Sequence, residues 1–234
     1  MFDKMRKRLS GRSPGGIVEA AYKTAKEGLR SWTPTARRNR AMHRSFDEEW
    51  GTDTAEQLWM SDLEFPVELA RQCIPYEASQ PGTLEAILDL IDIDPVDFAF
   101  IDIGSGKGRM VLCASMLGFR RAIGLEYSER LTEIAKQNGA IFESQGAAKV
   151  PPEFWQGNAT EFEAPAGPLL VYLYNPFELP IFGQCVDRIE AAIVAEKRPV
   201  LLAYANPRFA EEIDKRPRWN AIAGNEDISV FECR

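Results

Sequence analysis

Histidine is almost absent from this chain. His43 is the only one in 234 residues, which excludes a His-rich metal centre or a His-based hydrolytic triad built within one chain. No metal site is expected. Long apolar runs are missing too: nothing approaches the about 18 consecutive apolar residues of a membrane-spanning helix. The basic opening Met-Phe-Asp-Lys-Met-Arg-Lys-Arg has no apolar stretch behind it, so no secretory signal is expected. Cysteine is sparse. Cys73, Cys113, Cys185 and Cys233 show no CxxC spacing, and three of them sit inside apolar runs. Buried free thiols in a reducing, cytoplasmic compartment follow from that pattern. Internal repeats and low-complexity blocks are lacking.

What remains is an apolar fraction of 45% and a charged fraction of 27%, enough for one full hydrophobic core. The charge is unevenly spread. Residues 1–45 hold 12 Lys+Arg against 3 Asp+Glu, and residues 46–234 hold 16 against 32. A basic arm on an acidic body points to an anionic partner for the arm, or to docking of the arm on the body. Within the arm, Ile17, Val18, Ala21, Tyr22, Ala25 and Leu29 recur at helical spacing beside Lys23, Lys26 and Arg30. Such a stripe suits an anionic membrane surface, giving peripheral attachment, and equally suits packing on protein. A second polar segment runs from Ala36 to about Trp50. A change of texture near Asp62 to Pro66 sets the expected boundary between a helical extension, 1–66, and a main domain, 67–234.

From Gly82 onward, helix and strand signals alternate. Leu84, Ile87, Leu88 and Ile91 share one helical face, and Asp94-Pro95 closes that helix. Phe98 to Ile103 is a continuous apolar run, as in a central parallel strand covered on both faces. Arg109–Leu117 follows as helix, Arg121–Glu126 as strand, and Ser128 caps the next helix. Phe154-Trp155, Pro168–Tyr174 and Pro199–Ala205 mark three further strands. Pro180 is placed to open a helix, and Phe209–Asp214 allows a short one. Trp219–Ala223 and Ile228–Cys233, joined at Gly224-Asn225, predict a hairpin. The expected fold is α/β: a doubly wound seven-stranded sheet with a C-terminal antiparallel hairpin, preceded by N-terminal helices.

Asp102-Ile-Gly104-Ser105-Gly106-Lys-Gly108-Arg109 lies between the first strand and its helix. Glycines there let the backbone turn sharply and approach a ligand, and the helix start offers unpaired N–H groups. Spacing narrows the choice. A dinucleotide loop needs glycine where Arg109 stands, and a P-loop needs Ser or Thr where Gly108 stands. Glu126 ends the second strand, 22 positions after Gly104, where a carboxylate can accept both hydroxyls of a ribose.

With Asp102, this constellation resembles the class I S-adenosylmethionine (SAM)-dependent methyltransferases, from about Tyr76 to Arg234. The resemblance implies that Asp102 serves the cofactor's methionine end and that Gly104, Ser105, Gly106 and Gly108 cradle it. It implies further that Asn158 stands at the adenine and that Tyr76 folds over the cofactor. More narrowly, the loop, with Gly118-Phe119 and Gly124-Leu-Glu126, is similar to a bacterial branch resembling DOT1-like lysine methyltransferases. Phe46-Asp47 and Trp50-Gly-Thr-Asp-Thr54 are similar to that branch's N-terminal approach. Tyr174-Asn175-Pro176-Phe177 resembles, one proline short, the N-P-P-Y/F motif of enzymes that methylate nitrogen. It implies Asn175, Tyr174 and Phe177 as the residues at the acceptor. A protein side chain or small amine is the expected acceptor, with a nicotinamide-dependent oxidoreductase and a non-catalytic nucleotide-binding module as alternatives.

Overall fold

The computed structural model describes residues 34–56, 58, 63, 72–74, 76–195 and 198–234. The helical stripe expected at 17–29 and the textural break at 62–66 lie outside or largely outside those residues. The chain divides into two units between Met42 and His43, and the contacts described below lie within His43–Arg234. Residues 43–56, counted with the extension by sequence, thus fall in the second unit.

Two helices come first, α1 (Pro34–Trp50) and α2 (Thr83–Leu90). The sheet is then built by β1 (Ala99–Ile103), β2 (Arg121–Glu126), β3 (Pro152–Gln156), β4 (Leu169–Leu173), β5 (Val200–Ala205), β6 (Trp219–Gly224) and β7 (Ile228–Cys233). Between the strands run α3 (Arg109–Leu117), α4 (Glu129–Ser144), α5 (Leu179–Ala195) and the short α6 (Ala210–Asp214). The strand order is β3-β2-β1-β4-β5-β7-β6. All neighbours are parallel except β7, which is antiparallel to both β5 and β6.

Every residue of β1, β4 and β5 is buried, the mark of strands covered on both faces. One face packs Ile101, Ile103, Val171 and Leu202 against Phe182, Val186 and Ile189 of α5. The other packs Phe100, Leu170 and Ala203 with Val111 of α3, Ile87 of α2 and Phe46 of α1. Ser128 caps α4 by accepting Leu131 N–H at 3.3 Å, as its sequence position requires. The chain order reverses beside β1, with β2 on one side and β4 on the other. In open α/β sheets that switch point opens a crevice at the carboxyl ends of the strands.

Two local details depart from expectation. α5 opens at Leu179, so Pro180 stands second in the helix. The hairpin turns at 225–227, and Gly224 stays in β6. There the Asn225 side-chain oxygen accepts the N–H groups of Asp227 and Ile228, both at 2.9 Å, an Asx turn that fixes the loop without help from glycine.

Candidate active site

The carboxyl ends of β1, β2 and β4 open into one cleft. Asp102, Gly104 and Ser105 line it from β1 and its loop, and Glu126 from β2. Asn158 follows β3, Tyr174, Asn175 and Phe177 follow β4, and Tyr76 precedes α2. Of the residues singled out by sequence, Gly106 and Gly108 alone do not face it. Tyr76 lies against Gly106 so closely that a Cβ there would stand 2.1 Å from its Cε2. A Cβ on Gly104, whose φ is +82°, would stand 2.5 Å from Pro176 Cβ. Glycine at these two positions lets the Tyr76 ring and the β4 loop close on the β1 loop.

Glu126 organises that loop. Its Oε2 accepts Gly106 N–H at 3.0 Å and its Oε1 accepts Ser128 N–H at 2.8 Å. Burial raises its pKa, while the N–H groups of Ser128, Gly106 and Tyr127 draw it back down. Asp102 is 5% exposed, and burial, then the neighbouring Glu126, hold its carboxyl well above the usual range. Ser105 Oγ is buried with no hydrogen-bond partner among the described residues. Two buried carboxylates facing one cleft suit a ligand that brings positive charge and hydroxyl donors. The methionine end and ribose of S-adenosylmethionine supply those groups, so the donor set fits that cofactor.

Asn175 and Asn206 follow β4 and β5, and both hold left-handed backbone, with φ of 44° and 49°. Non-glycine residues rarely do so, and such strain clusters at functional sites. Asn175 Oδ1 accepts the Tyr204 hydroxyl at 2.6 Å, and its Nδ2 donates to the Asn206 carbonyl. The amide is therefore fixed by both its atoms, and Tyr204 is the donor to Oδ1 among the described residues. Asn206, by sequence a strand-to-helix turn, also lines the cleft. Phe177 pairs across an antiparallel bridge with Cys73. Burial, then Glu77 and Asp227, push the Tyr174 hydroxyl up to about 12, so it stays protonated at neutral pH.

Asn158 is committed locally. Its Oδ1 accepts both the N–H and the hydroxyl of Thr160 at 3.0 Å, and its Nδ2 donates to Glu161 at 3.0 Å. A ligand meets an Asn158 carbonyl whose lone pairs are already used.

Sequence reasoning missed the cations of the glycine loop. Lys107 and Arg109 are 0% and 2% exposed. Lys107 Nζ donates to Asp53 at 2.7 Å. Arg109 Nε donates to Thr54 Oγ1 at 2.7 Å, its Nη1 to His43 Nδ1 and to the Ser79 carbonyl, and its Nη2 to the His43 carbonyl. A guanidinium has no acceptor, so His43 Nδ1 is the unprotonated nitrogen. Asn138 of α4 bonds the backbone of Asp53 in both directions and the Lys107 carbonyl. The signal available in the sequence was the pair of cations inside a glycine loop, which needs acids from elsewhere in the chain if buried. Among the described residues no cluster of His, Cys, Asp and Glu is arranged to hold a metal ion. No helix among them is long and apolar enough to cross a membrane.

Residues 75–149 match the family described as Histone methylation protein DOT1. No curated protein matches the chain. Among solved structures, TrmN from Thermus thermophilus is similar at 16% identity, over 67% of this chain and 49% of that one, with a TM-score of 0.49. A predicted N6-adenine-specific DNA methylase from Listeria monocytogenes is similar at 16% identity, over 67% and 51%, with a TM-score of 0.47. The PH0226 protein of Pyrococcus horikoshii OT3 is similar at 12% identity, over 64% and 87%, with a TM-score of 0.47. The chain spans about half the length of the first two. The strand order, the glycine loop, the acid ending β2 and the matched segment together resemble those of the class I, Rossmann-like SAM-dependent methyltransferases.

Proposed function

We propose that this chain transfers a methyl group from S-adenosylmethionine to nitrogen, on a protein side chain or a small amine. One observation carries the reading: the buried carboxylates Asp102 and Glu126 share a single cleft with the fixed amide of Asn175 and the rings of Tyr174 and Phe177. In this reading Asp102 faces the methionine end, Glu126 the ribose and Tyr76 the outer side of the cofactor. When bound, the cofactor supplies an electrophilic methyl on a sulfonium.

The protein's own work is alignment and exclusion of water, which suffices for an in-line displacement. Asn175, immobilised by Tyr204 and Asn206, offers Oδ1 to an acceptor N–H. Tyr174 and Phe177 offer faces suited to a flat or cationic group. The tyrosines of the cleft stay protonated, and His43 lies against Arg109. An amine acceptor gives up its proton to bulk water as it enters between the Tyr174 and Phe177 rings, where burial favours the neutral form.

The test is a calorimetric titration of the full chain with S-adenosylhomocysteine and, separately, with NAD. Binding of the former alone is expected, and NAD binding in its place overturns the reading in favour of hydride transfer. Glu126→Ala is expected to weaken S-adenosylhomocysteine about ten- to hundredfold, the size of lost charge-assisted hydrogen bonds. Unchanged affinity in the folded variant removes Glu126 from the ribose.

A further inference from the structure

One wall of the cofactor site is held by a turn that methyl transfer as described does not use. The turn follows α1, and the Asp47 carboxylate is its centre. Asp47 Oδ1 accepts the hydroxyls of Thr52 at 2.9 Å and Thr54 at 2.5 Å, and Oδ2 accepts the N–H groups of Thr54 at 2.9 Å and Ala55 at 2.7 Å. Four donors on one carboxylate fix residues 52–55 in place.

Thr54, fully buried, reaches out of this turn in two directions. Its hydroxyl, having given its proton to Asp47, accepts Arg109 Nε at 2.7 Å. Its carbonyl accepts the Tyr76 hydroxyl at 2.7 Å. Arg109 begins α3 directly after the glycine loop, and the Tyr76 ring lies on Gly106 within that loop. Asp53 pins the same turn from the other side through Lys107 and Asn138. The hydroxyl at 54 must donate and accept at once, bridging a carboxylate and a guanidinium whose closest atoms are 3.6 Å apart. Serine can do both. Valine, of the same shape as threonine, can do neither.

We propose that Thr54 is a positioning residue of the cofactor site: it holds the Tyr76 ring against Gly106 through its carbonyl and the start of α3 through its hydroxyl, so the turn at 52–55 sets the shape the cofactor meets. This rests on the cofactor reading above and extends it to a segment 50 residues upstream of the glycine loop.

The experiment uses the full chain with Thr54→Val, Thr54→Ser, Tyr76→Phe and the Thr54→Val/Tyr76→Phe double variant, titrated with S-adenosylhomocysteine at a temperature where each is folded. Amide hydrogen exchange across 102–110 is followed in the ligand-free protein. Thr54→Val is expected to bind about tenfold more weakly and to exchange faster across the loop, with Thr54→Ser within about threefold of wild type. Tyr76→Phe is expected to weaken binding in the same direction, and the double variant by less than the product of the two, because both act through one contact chain. A purely structural threonine would shift melting while leaving affinity and loop exchange as they are. That outcome, or strictly multiplicative effects, overturns the inference. Should Thr54→Val fail to fold, Tyr76→Phe decides: wild-type affinity and exchange in it overturn the inference. Failure of the wild-type chain to bind S-adenosylhomocysteine overturns the cofactor reading, and this inference with it.

Discussion

The Tyr204 hydroxyl donates to Asn175 Oδ1 at 2.6 Å, joining β5 to the residue that follows β4 at the mouth of the cleft. The bond gives the amide one orientation before any acceptor arrives. It also separates two contributions that a single alanine substitution would merge, the amide itself and the left-handed backbone beneath it.

Asn175→Ala and Asn175→Gly separate them. Both remove the amide from Tyr204 and Asn206, but only alanine is strained at a φ of 44°. Asn175→Ala is expected to lose about 2–4 kcal/mol of stability, the sum of an unmade buried hydrogen bond and the backbone strain. Glycine recovers the strain part. Turnover is expected to fall about 10²-fold in both, with S-adenosylhomocysteine affinity within a few-fold of wild type. Denaturant titration, calorimetry and single-turnover rates read the three quantities. Normal turnover in Asn175→Gly would leave the segment a strand terminator.

Cofactor binding is expected to release protons. Burial keeps Asp102 and Glu126 above the usual carboxylate range in the free protein, and a cation entering beside them favours their charged forms. Affinity therefore strengthens as pH rises through their free-state values and levels off above them. S-adenosylmethionine, with its extra sulfonium charge, is expected to release more protons than S-adenosylhomocysteine. Calorimetry in buffers of different ionisation enthalpy measures the number directly. Equal and zero release for both ligands would mean the two carboxylates are already ionised.

The frame of this site was legible in the sequence because its parts are local. A short run such as Ala99–Ile103, apolar but for Asp102, specifies a covered strand, and the interval from Gly104 to Glu126 is fixed by one helix and one strand. The lock on the loop was not legible. Arg109 registers in a pattern only as the residue that spoils a dinucleotide loop, and Lys107 only as the lysine of a P-loop that Gly108 breaks. Their partners Asp53 and Thr54 lie 54 and 55 positions away, and Asn138 a further 31 beyond Lys107. Periodicity carries no information at such separations, since only the folded sheet brings those segments together. The acceptor end lies between. Asn175 was visible as a motif residue, whereas Tyr204, indistinguishable from any buried strand aromatic, was not.

His43 is expected to make the fold acid-sensitive. Burial, then the Arg109 charge, lower its pKa from 6.5 to about 4, with Asp47 opposing. An unfolded His43 takes up a proton near 6.5, so between those values the unfolded chain binds more protons and stability falls as pH falls. The raised carboxylates Asp102 and Glu126 act in the opposite sense, gaining protons in the fold first. His43→Gln isolates the histidine: the stability gap between wild type and variant should narrow from pH 7 to pH 4.5 in urea titrations. A gap independent of pH would show that the imidazole titrates normally.

The basic arm is proposed to bind an anionic surface. Residues 1–42 carry 11 Lys+Arg against 3 Asp+Glu, and removing them spares His43 and its bond to Arg109. The full chain is expected to sediment with anionic vesicles at low salt and to be released as salt is raised. The truncated chain is expected to stay in the supernatant at every salt concentration, with S-adenosylhomocysteine affinity unchanged. Weaker ligand binding after truncation would assign the arm to the cofactor site.

The seclusion of Lys107 gives the protein an internal reporter. Its ammonium, spent on Asp53, lies where an acylating reagent cannot attack while the turn is seated. Amine chemistry therefore reaches Lys107 only during excursions that part the turn from the glycine loop, and a mass-spectrometric time course of its acylation counts those excursions. Ligand held under the Tyr76 ring would slow that clock, so occupancy of the cleft could be followed from the unreacted lysine without any turnover at all.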